Sequence, residues 1–198
     1  MKATLTEPTR IGAFREPHRL AMLLFIGSEI AFFIILISAY IYFQAGLTSG
    51  PNAKNSLHPG VSGIYTAMLL LSSVTIWQAG RNLERDRQGP ARLWFLATLA
   101  LGAIFLFGQG REYVALYNEN VTISRNVFGS TFFTLTGFHG LHVFGGLVTI
   151  AIMTGLCFAG EFKGGHATAV EVVSLYWHFV DVVWIVLFSL IYLWPLLS

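Results

Sequence analysis

The chain has 198 residues, of which 55% are apolar, 15% are aromatic and 11% are charged. So little charge cannot cover a soluble globular protein of this size, and the net charge of +2 is spread over several clusters rather than gathered into a basic patch suited to nucleic acid. The composition therefore excludes a soluble domain and indicates an integral membrane protein.

Five apolar runs follow one another along the chain, and each is long enough for the ~20 residues that cross a bilayer core. They cover residues 20–45, 61–80, 91–110, 128–159 and 169–197. The tail and the connections are too short to build a core of their own, so we expect a single membrane domain over residues 1–198. The sequence predicts an all-α integral membrane protein, a bundle of five transmembrane helices.

Lysine and arginine are divided unequally between the two ends of these helices. The N-terminal tail, which includes Lys2, the second connection and the fourth connection with Lys163 together hold nine, whereas the first and third connections hold three. The positive-inside rule then places the N-terminus in the cytoplasm and the C-terminus outside.

Six acidic or histidine residues fall inside or at the edge of the apolar runs: Glu29, His139, His142, Glu171, His178 and Asp181. Such side chains cost a few kcal/mol in the bilayer core on insertion scales, so they normally turn towards protein or water. In the last run Glu171, Ser174, His178 and Asp181 follow spacings of three, four and three, which places all four on one helical stripe.

The fourth run carries two histidines beside several glycines. His139, His142 and Gly146 share a helical face, and we expect the glycines of this run to let another helix approach closely; they are Gly137, Gly140, Gly145 and Gly146. The second run has a hydroxyl-bearing face of its own, formed by Ser62, Thr66 and Ser73.

Three of the ionisable residues are expected at a similar depth in the bilayer. At ~1.5 Å per residue, Glu29 lies about 13 Å, His178 about 12 Å and His142 about 9 Å from the cytoplasmic edge of the bilayer core. One hypothesis makes the polar residues interhelical hydrogen-bond partners that fix packing. The other makes them a cofactor or proton site.

A b-type haem between His142 and His178 is one form of the second hypothesis, but His139 and His142 project from the same face and would crowd the haem. Copper or di-iron fits no better, because the single cysteine lies elsewhere and no Glu-x-x-His pair is present. A proton-coupled transporter would also use buried acids and imidazoles, although five spans without an inverted repeat argue against it.

Several segments of the chain resemble, in order, the motifs of subunit III of haem-copper terminal oxidases, the cytochrome c or quinol oxidase subunit III family. They are "LLFIGSEIAFF" around Glu29, "LLLSSVTIW" in the second run, "GQGREY" at the end of the third, "FGSTFFTLTGFHGLHV" at 128–143 and "EVVSLYWHFVDVVWIVLF" at 171–188. The resemblance covers nearly the whole chain.

The resemblance implies an accessory subunit that packs against the large subunit I, which carries the haems and copper. It also implies contacts with other oxidase subunits and is compatible with membership in a respiratory supercomplex. It implies bound phospholipid, support of proton uptake and sustained turnover in aerobic respiration, and no catalytic residue, metal or redox centre on this chain. The residues matching His139, His142, Glu171, His178 and Asp181 are then internal polar contacts of the bundle. The residue matching Glu29 is a buried carboxyl beside a lipid-filled cleft.

The sequence departs from the longer form of that family, which has seven spans, because it begins at what corresponds to the third. It resembles the five-helix bacterial form, which implies a multi-pass protein of the bacterial inner membrane. The two absent spans form part of the wall of the lipid cleft in the longer form. The resemblance leaves the electron donor, cytochrome c or quinol, open.

Overall fold

The computed structural model describes residues 10–46, 53–57, 59–162 and 167–197, and within these ranges the regular structure is helical throughout. The helices are α1 (Arg10–Ala45), α2 (Ala53–Ser56), α3 (Pro59–Glu84), α4 (Gln88–Asn118), α5 (Val127–Ala159) and α6 (Ala167–Phe188), followed by a π-helical turn (Ser189–Leu193) and α7 (Trp194–Leu197). Lys2 and Lys163, which enter the topology argument above, lie outside the described residues.

Within the described ranges, five helices are long and apolar enough to cross a membrane: Pro17–Ala45, Pro59–Glu84, Gln88–Asn118, Val127–Ala159 and Thr168–Leu196. The predicted bundle of five transmembrane helices is confirmed. The helices extend beyond the apolar runs. At ~1.5 Å per residue, the 31 residues of α4 exceed the thickness of a bilayer core by several turns.

Local signals set the ends of the fourth spanning helix, α5. The side chain of Asn126 accepts a hydrogen bond from the backbone N–H of Gly129 at 2.7 Å, which caps the first turn. Gly160 ends the helix in the left-handed region at φ 78°, where a residue without Cβ is favoured. The turn between α3 and α4 is tight and places Asp86 at φ 55°.

Four of the spanning helices pack closely together, whereas α1 packs against two of them and is more exposed. α3 packs against α4 and α6, and α5 packs against α4 and α6, so these four enclose most of the buried aromatic side chains, among them Trp177 and Trp184. α1 lies along α5 and α6 and leaves most of its apolar side chains exposed, including Leu24 and Ile35. Its outer face is therefore free for lipid or for another subunit.

Trp177 of α6 packs between two glycines of neighbouring helices. A Cβ added at Gly146 of α5 would lie 2.7 Å from the indole, and one added at Gly102 of α4 would lie 2.7 Å from Leu147 and 3.1 Å from the indole. The indole N–H donates to Ser72 Oγ at 2.9 Å, which holds the ring in place. Of the four glycines predicted to allow close approach, Gly146 has such a contact, whereas nothing lies within 4 Å of a Cβ at Gly140.

We expect Gly146→Ala to lower the free energy of unfolding by about 1 kcal/mol or more, because the added methyl group overlaps the Trp177 ring. Gly140→Ala on the same helix is the matched control, and it should leave stability unchanged or raise it, since alanine favours helix. Chemical unfolding in detergent measures both. Equal stability of the two variants would show that Trp177 moves aside at little cost.

Candidate functional site

Four polar side chains meet between α3 and α6, and we call them the inner polar cluster: Ser73, Ser174, His178 and Asp181. Ser73 Oγ lies 2.7 Å from His178 Nδ1 and donates a hydrogen bond to Asp181 Oδ2. Ser174 Oγ lies 3.2 Å from His178 Nε2. Three members come from the stripe predicted on the last span, and helical periodicity places them together.

Asp181 is the most deeply buried member of the cluster, with 3% of its surface exposed. Its Oδ1 atom is buried and has no hydrogen-bond partner among the described residues, whereas Oδ2 accepts from Ser73. A buried oxygen without a partner is costly, so the carboxyl depends heavily on the Ser73 hydroxyl.

Glu29 and His142 form a second pair, which joins α1 to α5. His142 Nε2 lies 3.0 Å from Glu29 Oε2, and less than a fifth of either side chain is exposed. His142 Nδ1 lies 2.7 Å from the carbonyl oxygen of Phe138. A carbonyl oxygen only accepts, so Nδ1 carries a hydrogen, and a hydrogen bond at Nε2 then requires one further proton between His142 and Glu29. The pair is a hydrogen-bonded contact that joins the two helices.

His139 makes a different kind of contact from the other predicted residues. It is 1% exposed, and its ring stacks on Trp184 with centroids 4.8 Å apart, while the Phe105 ring meets it edge-on at 6.1 Å. Neither ring nitrogen has a hydrogen-bond partner among the described residues. The geometry makes His139 an aromatic packing residue, separate from the inner polar cluster.

We expect His139→Phe to leave the free energy of unfolding unchanged or to raise it by up to about 1 kcal/mol, because two buried nitrogens without partners become C–H groups. His142→Phe on the same helix is the contrasting variant, and it should destabilise, since it removes the partner of Glu29. Thermal unfolding in detergent shows which of the two variants is more stable. A large loss for His139→Phe would reveal a polar partner of the ring.

Glu171 lies at the start of the stripe and is exposed. Its Oε1 atom is 3.8 Å from Arg19 Nη1, with 47% of the Glu171 side chain and 64% of the Arg19 side chain exposed. A pair this open to solvent contributes little to stability.

A cavity of about 430 Å³ opens between the ends of α1, α3 and α6, and we call it the α1–α3–α6 cavity. Its polar lining comes from all three helices: Arg19, Arg81, Glu84, Glu171, Ser174 and His178. The Arg81 guanidinium lies over the Trp77 ring at 4.6 Å, and Arg19 faces Glu171, so both cations at the rim already have partners. The cavity connects the rim with the His178 ring of the inner polar cluster.

Sequence reasoning missed a third cluster, which lies at the opposite ends of the helices. Glu112 accepts from Ser62 Oγ at 2.9 Å and from the Tyr192 hydroxyl at 2.6 Å. Tyr192 belongs to the π-helical turn, whose extra residue per turn shifts the register of the side chains after Phe188. The available signal was an acidic residue directly after an apolar run, in "GQGREY".

The hydroxyl face predicted for the second span supplies hydrogen bonds to its neighbours. Ser62 bonds to α4, Ser73 bonds to α6, and Thr66 Oγ1 accepts from the Trp184 indole N–H at 2.9 Å. α3 is thereby tied to α4 and α6 by polar contacts in addition to apolar packing.

The ring nitrogens that a haem between His142 and His178 would need are already engaged. Both ring nitrogens of His142 lie within hydrogen-bond distance of Phe138 and Glu29, and both of His178 within that distance of Ser73 and Ser174. Across the described ranges, no group of three or more His, Cys, Asp or Glu side chains is placed to hold a metal ion. The arrangement favours hydrogen bonding and proton sharing over ligation of a metal.

Comparison with known proteins gives a consistent result over nearly the whole length. Residues 9–196 match the family described as cytochrome c oxidase subunit III. Cytochrome c oxidase subunit 3 of Corynebacterium diphtheriae is 38% identical over 193 residues, which cover 95% of this chain and 94% of that protein. The probable cytochrome c oxidase subunit 3 of Mycobacterium leprae is 37% identical over 188 residues, covering 93% and 92%. For cytochrome c oxidase subunit 3 of Lumbricus terrestris the identity is 38% over 183 residues, 89% of this chain and 70% of that one.

Proposed function

Because this chain belongs to the cytochrome c oxidase subunit III family, we propose that it supports the oxidase complex from the membrane without carrying a redox centre itself. It is an accessory subunit of a haem-copper oxidase, a multi-pass membrane protein of the respiratory chain that associates with other oxidase subunits. The family membership supports this proposal over the b-haem and transporter hypotheses that the residues alone leave open.

The observation that carries the proposal is the engagement of the intramembrane histidines. His142 and His178 are held by hydrogen bonds, and His139 is enclosed by aromatic rings, so these imidazoles serve the bundle itself. We therefore place the haems and copper of the complex in the large catalytic subunit, subunit I. This chain contributes packing, and its membership in a respiratory supercomplex would follow from that larger assembly.

The apolar outer surface supports two further parts of the proposal. α1 exposes large apolar side chains along its length, and we propose that phospholipid covers part of this surface near Glu29. The hydrogen-bonded pair of Glu29 and His142 lies within reach of that surface, which fits a subunit that supports proton uptake and sustained turnover.

The placement in the cell is proposed from charge and from the bacterial relatives. The excess of lysine and arginine in the tail and in the second connection places the N-terminus in the cytoplasm and the C-terminus outside. The location is then the bacterial cytoplasmic membrane, with residues 1–198 acting as one membrane domain.

Co-purification tests the proposal. A tagged form of the full chain, extracted in mild detergent, should bring down a larger subunit whose absorbance spectrum is that of haem and which contains copper. Purification of the chain alone, or with a partner that lacks haem, would contradict the proposal.

A further inference from the structure

The α1–α3–α6 cavity ends at a chain of hydrogen bonds that leads to a buried carboxyl. Ser174 and His178 line the cavity, whereas Ser73 and Asp181 lie behind them. At ~1.5 Å per residue, Asp181 lies about 15 Å along α6 from Glu171 at the rim. The cavity and the inner polar cluster therefore form one continuous polar path into the bundle.

We propose that this path is a one-sided proton-binding site, in which water in the cavity exchanges a proton with Asp181 through Ser174, His178 and Ser73. The site goes beyond the proposed accessory function, since it requires neither a redox centre nor a partner subunit. Its ligand is the proton, supplied by water.

Water is expected in the cavity because the cavity is both roomy and polar. One water molecule occupies ~30 Å³ in the liquid. A cavity of about 430 Å³ therefore has room for several water molecules. The charged groups around it come from all three helices: Arg19 of α1, Arg81 and Glu84 of α3, and Glu171 of α6. On the α1–α5 side, Glu29 and His142 bond to each other.

The three hydrogen bonds of the cluster can all reverse without movement of a heavy atom. With Asp181 ionised, Ser174 donates to His178 Nε2, His178 Nδ1–H donates to Ser73, and Ser73 donates to Asp181. When a hydronium ion in the cavity gives a proton to Ser174 and is left as water, the Ser174 hydrogen passes to Nε2, the Nδ1 hydrogen to Ser73, and the Ser73 hydrogen to Asp181. The net change is one proton added to the carboxylate, and release follows the same steps backwards.

The deep end of the path is closed by large apolar side chains. One turn beyond Ser73 and Asp181 lie Leu69 and Trp184, with 0% and 1% of their surfaces exposed. The Trp184 indole N–H is engaged by Thr66, so it does not extend the relay. A proton that reaches Asp181 therefore leaves by the way it came, and the site stores a proton rather than conducting it across the membrane.

Thiol labelling in the purified oxidase complex tests whether the cavity is hydrated. Cys157 is the single cysteine of this chain and is fully buried, so label counted on this chain after the subunits are separated reports the new cysteine. We expect Ser174→Cys to react with a charged, water-soluble methanethiosulfonate about tenfold faster or more than Leu24→Cys, because only a hydrated thiol forms the reactive thiolate. Leu24 is 69% exposed on the outer face of α1 and is the matched control. Equal reaction rates of Ser174→Cys and Leu24→Cys would show that water does not fill the cavity and would overturn the proposal.

Infrared spectroscopy of the same complex tests the proton. A carboxyl band that titrates with pH and is lost in Asp181→Asn identifies the site, and its shift after transfer to D₂O measures exchange. Gly80→Leu fills the cavity and should slow this exchange by about tenfold or more, since water no longer reaches Ser174. Gly80→Ala is the control, because its Cβ meets Val170 at an ordinary 3.7 Å and leaves the cavity open. The absence of such a band, or unchanged exchange in Gly80→Leu, would overturn the proposal.

Discussion

Replacing Ser73 with alanine is expected to lower the free energy of unfolding by about 2 to 3 kcal/mol, a large effect for the loss of one oxygen atom. Ser73 is the hydrogen-bond partner of Asp181 among the described residues and also faces His178 Nδ1. Its removal leaves a buried carboxyl with two oxygens that lack partners, together with an imidazole nitrogen. Chemical unfolding of the purified chain in detergent measures the loss.

Two further variants separate this cause from a general loss of packing. Ser28→Ala is the matched control, because the Ser28 hydroxyl is exposed and donates to the backbone carbonyl of Phe25 on its own helix. Asp181→Leu combined with Ser73→Ala should recover most of the lost stability, since the carboxyl that needed the hydroxyl is gone. If the double variant is less stable than Ser73→Ala, the unpaired carboxyl of Asp181 is not the cause of the stability lost in Ser73→Ala.

Replacing Glu29 with leucine is expected to lower the free energy of unfolding by about 2 kcal/mol, because His142 Nε2 loses its partner inside the bundle. The effect should fall mainly on α1, which packs only lightly against α5 and α6. Protease cleavage at the N-terminal end of α1, followed in detergent, should become faster in this variant.

A double-mutant cycle isolates the contact between the two side chains. We expect Glu29→Leu and His142→Leu to be non-additive by about 1 kcal/mol or more, whereas Glu29→Gln should retain much of the stability, since its amide N–H₂ donates to Nε2. Additive losses would show that the two residues act independently of each other.

The fold was predictable because lipid imposes strong constraints on sequence. Long apolar runs have few structural alternatives in a bilayer, so the five spanning helices follow from hydropathy alone. The short helix Ala53–Ser56 and the continuation of α4 to Asn118 did not follow, because they depend on local turns and on neighbours outside the apolar core.

The candidate site was predictable only in part, because periodicity places residues on a face but does not choose their partners. The stripe of Ser174, His178 and Asp181 follows from a spacing of three and four, yet Ser73, which joins them, comes from another helix. The spacing of three places His139 on the same helical face as His142. Its ring nevertheless stacks on Trp184, where aromatic packing takes the place of hydrogen bonding. Tyr192 reaches Glu112 from a π-helical turn that hydropathy does not reveal.

The central claim is that this subunit supports an oxidase whose haems and copper lie elsewhere in the complex. The direct measurement is haem and copper per catalytic subunit before and after this chain is removed with detergent, together with oxygen consumption over time. We expect unchanged metal and haem content and an initial rate near normal, followed by faster inactivation during turnover. Loss of haem or copper in proportion to the chain removed would contradict the claim and would show that this chain supplies ligands.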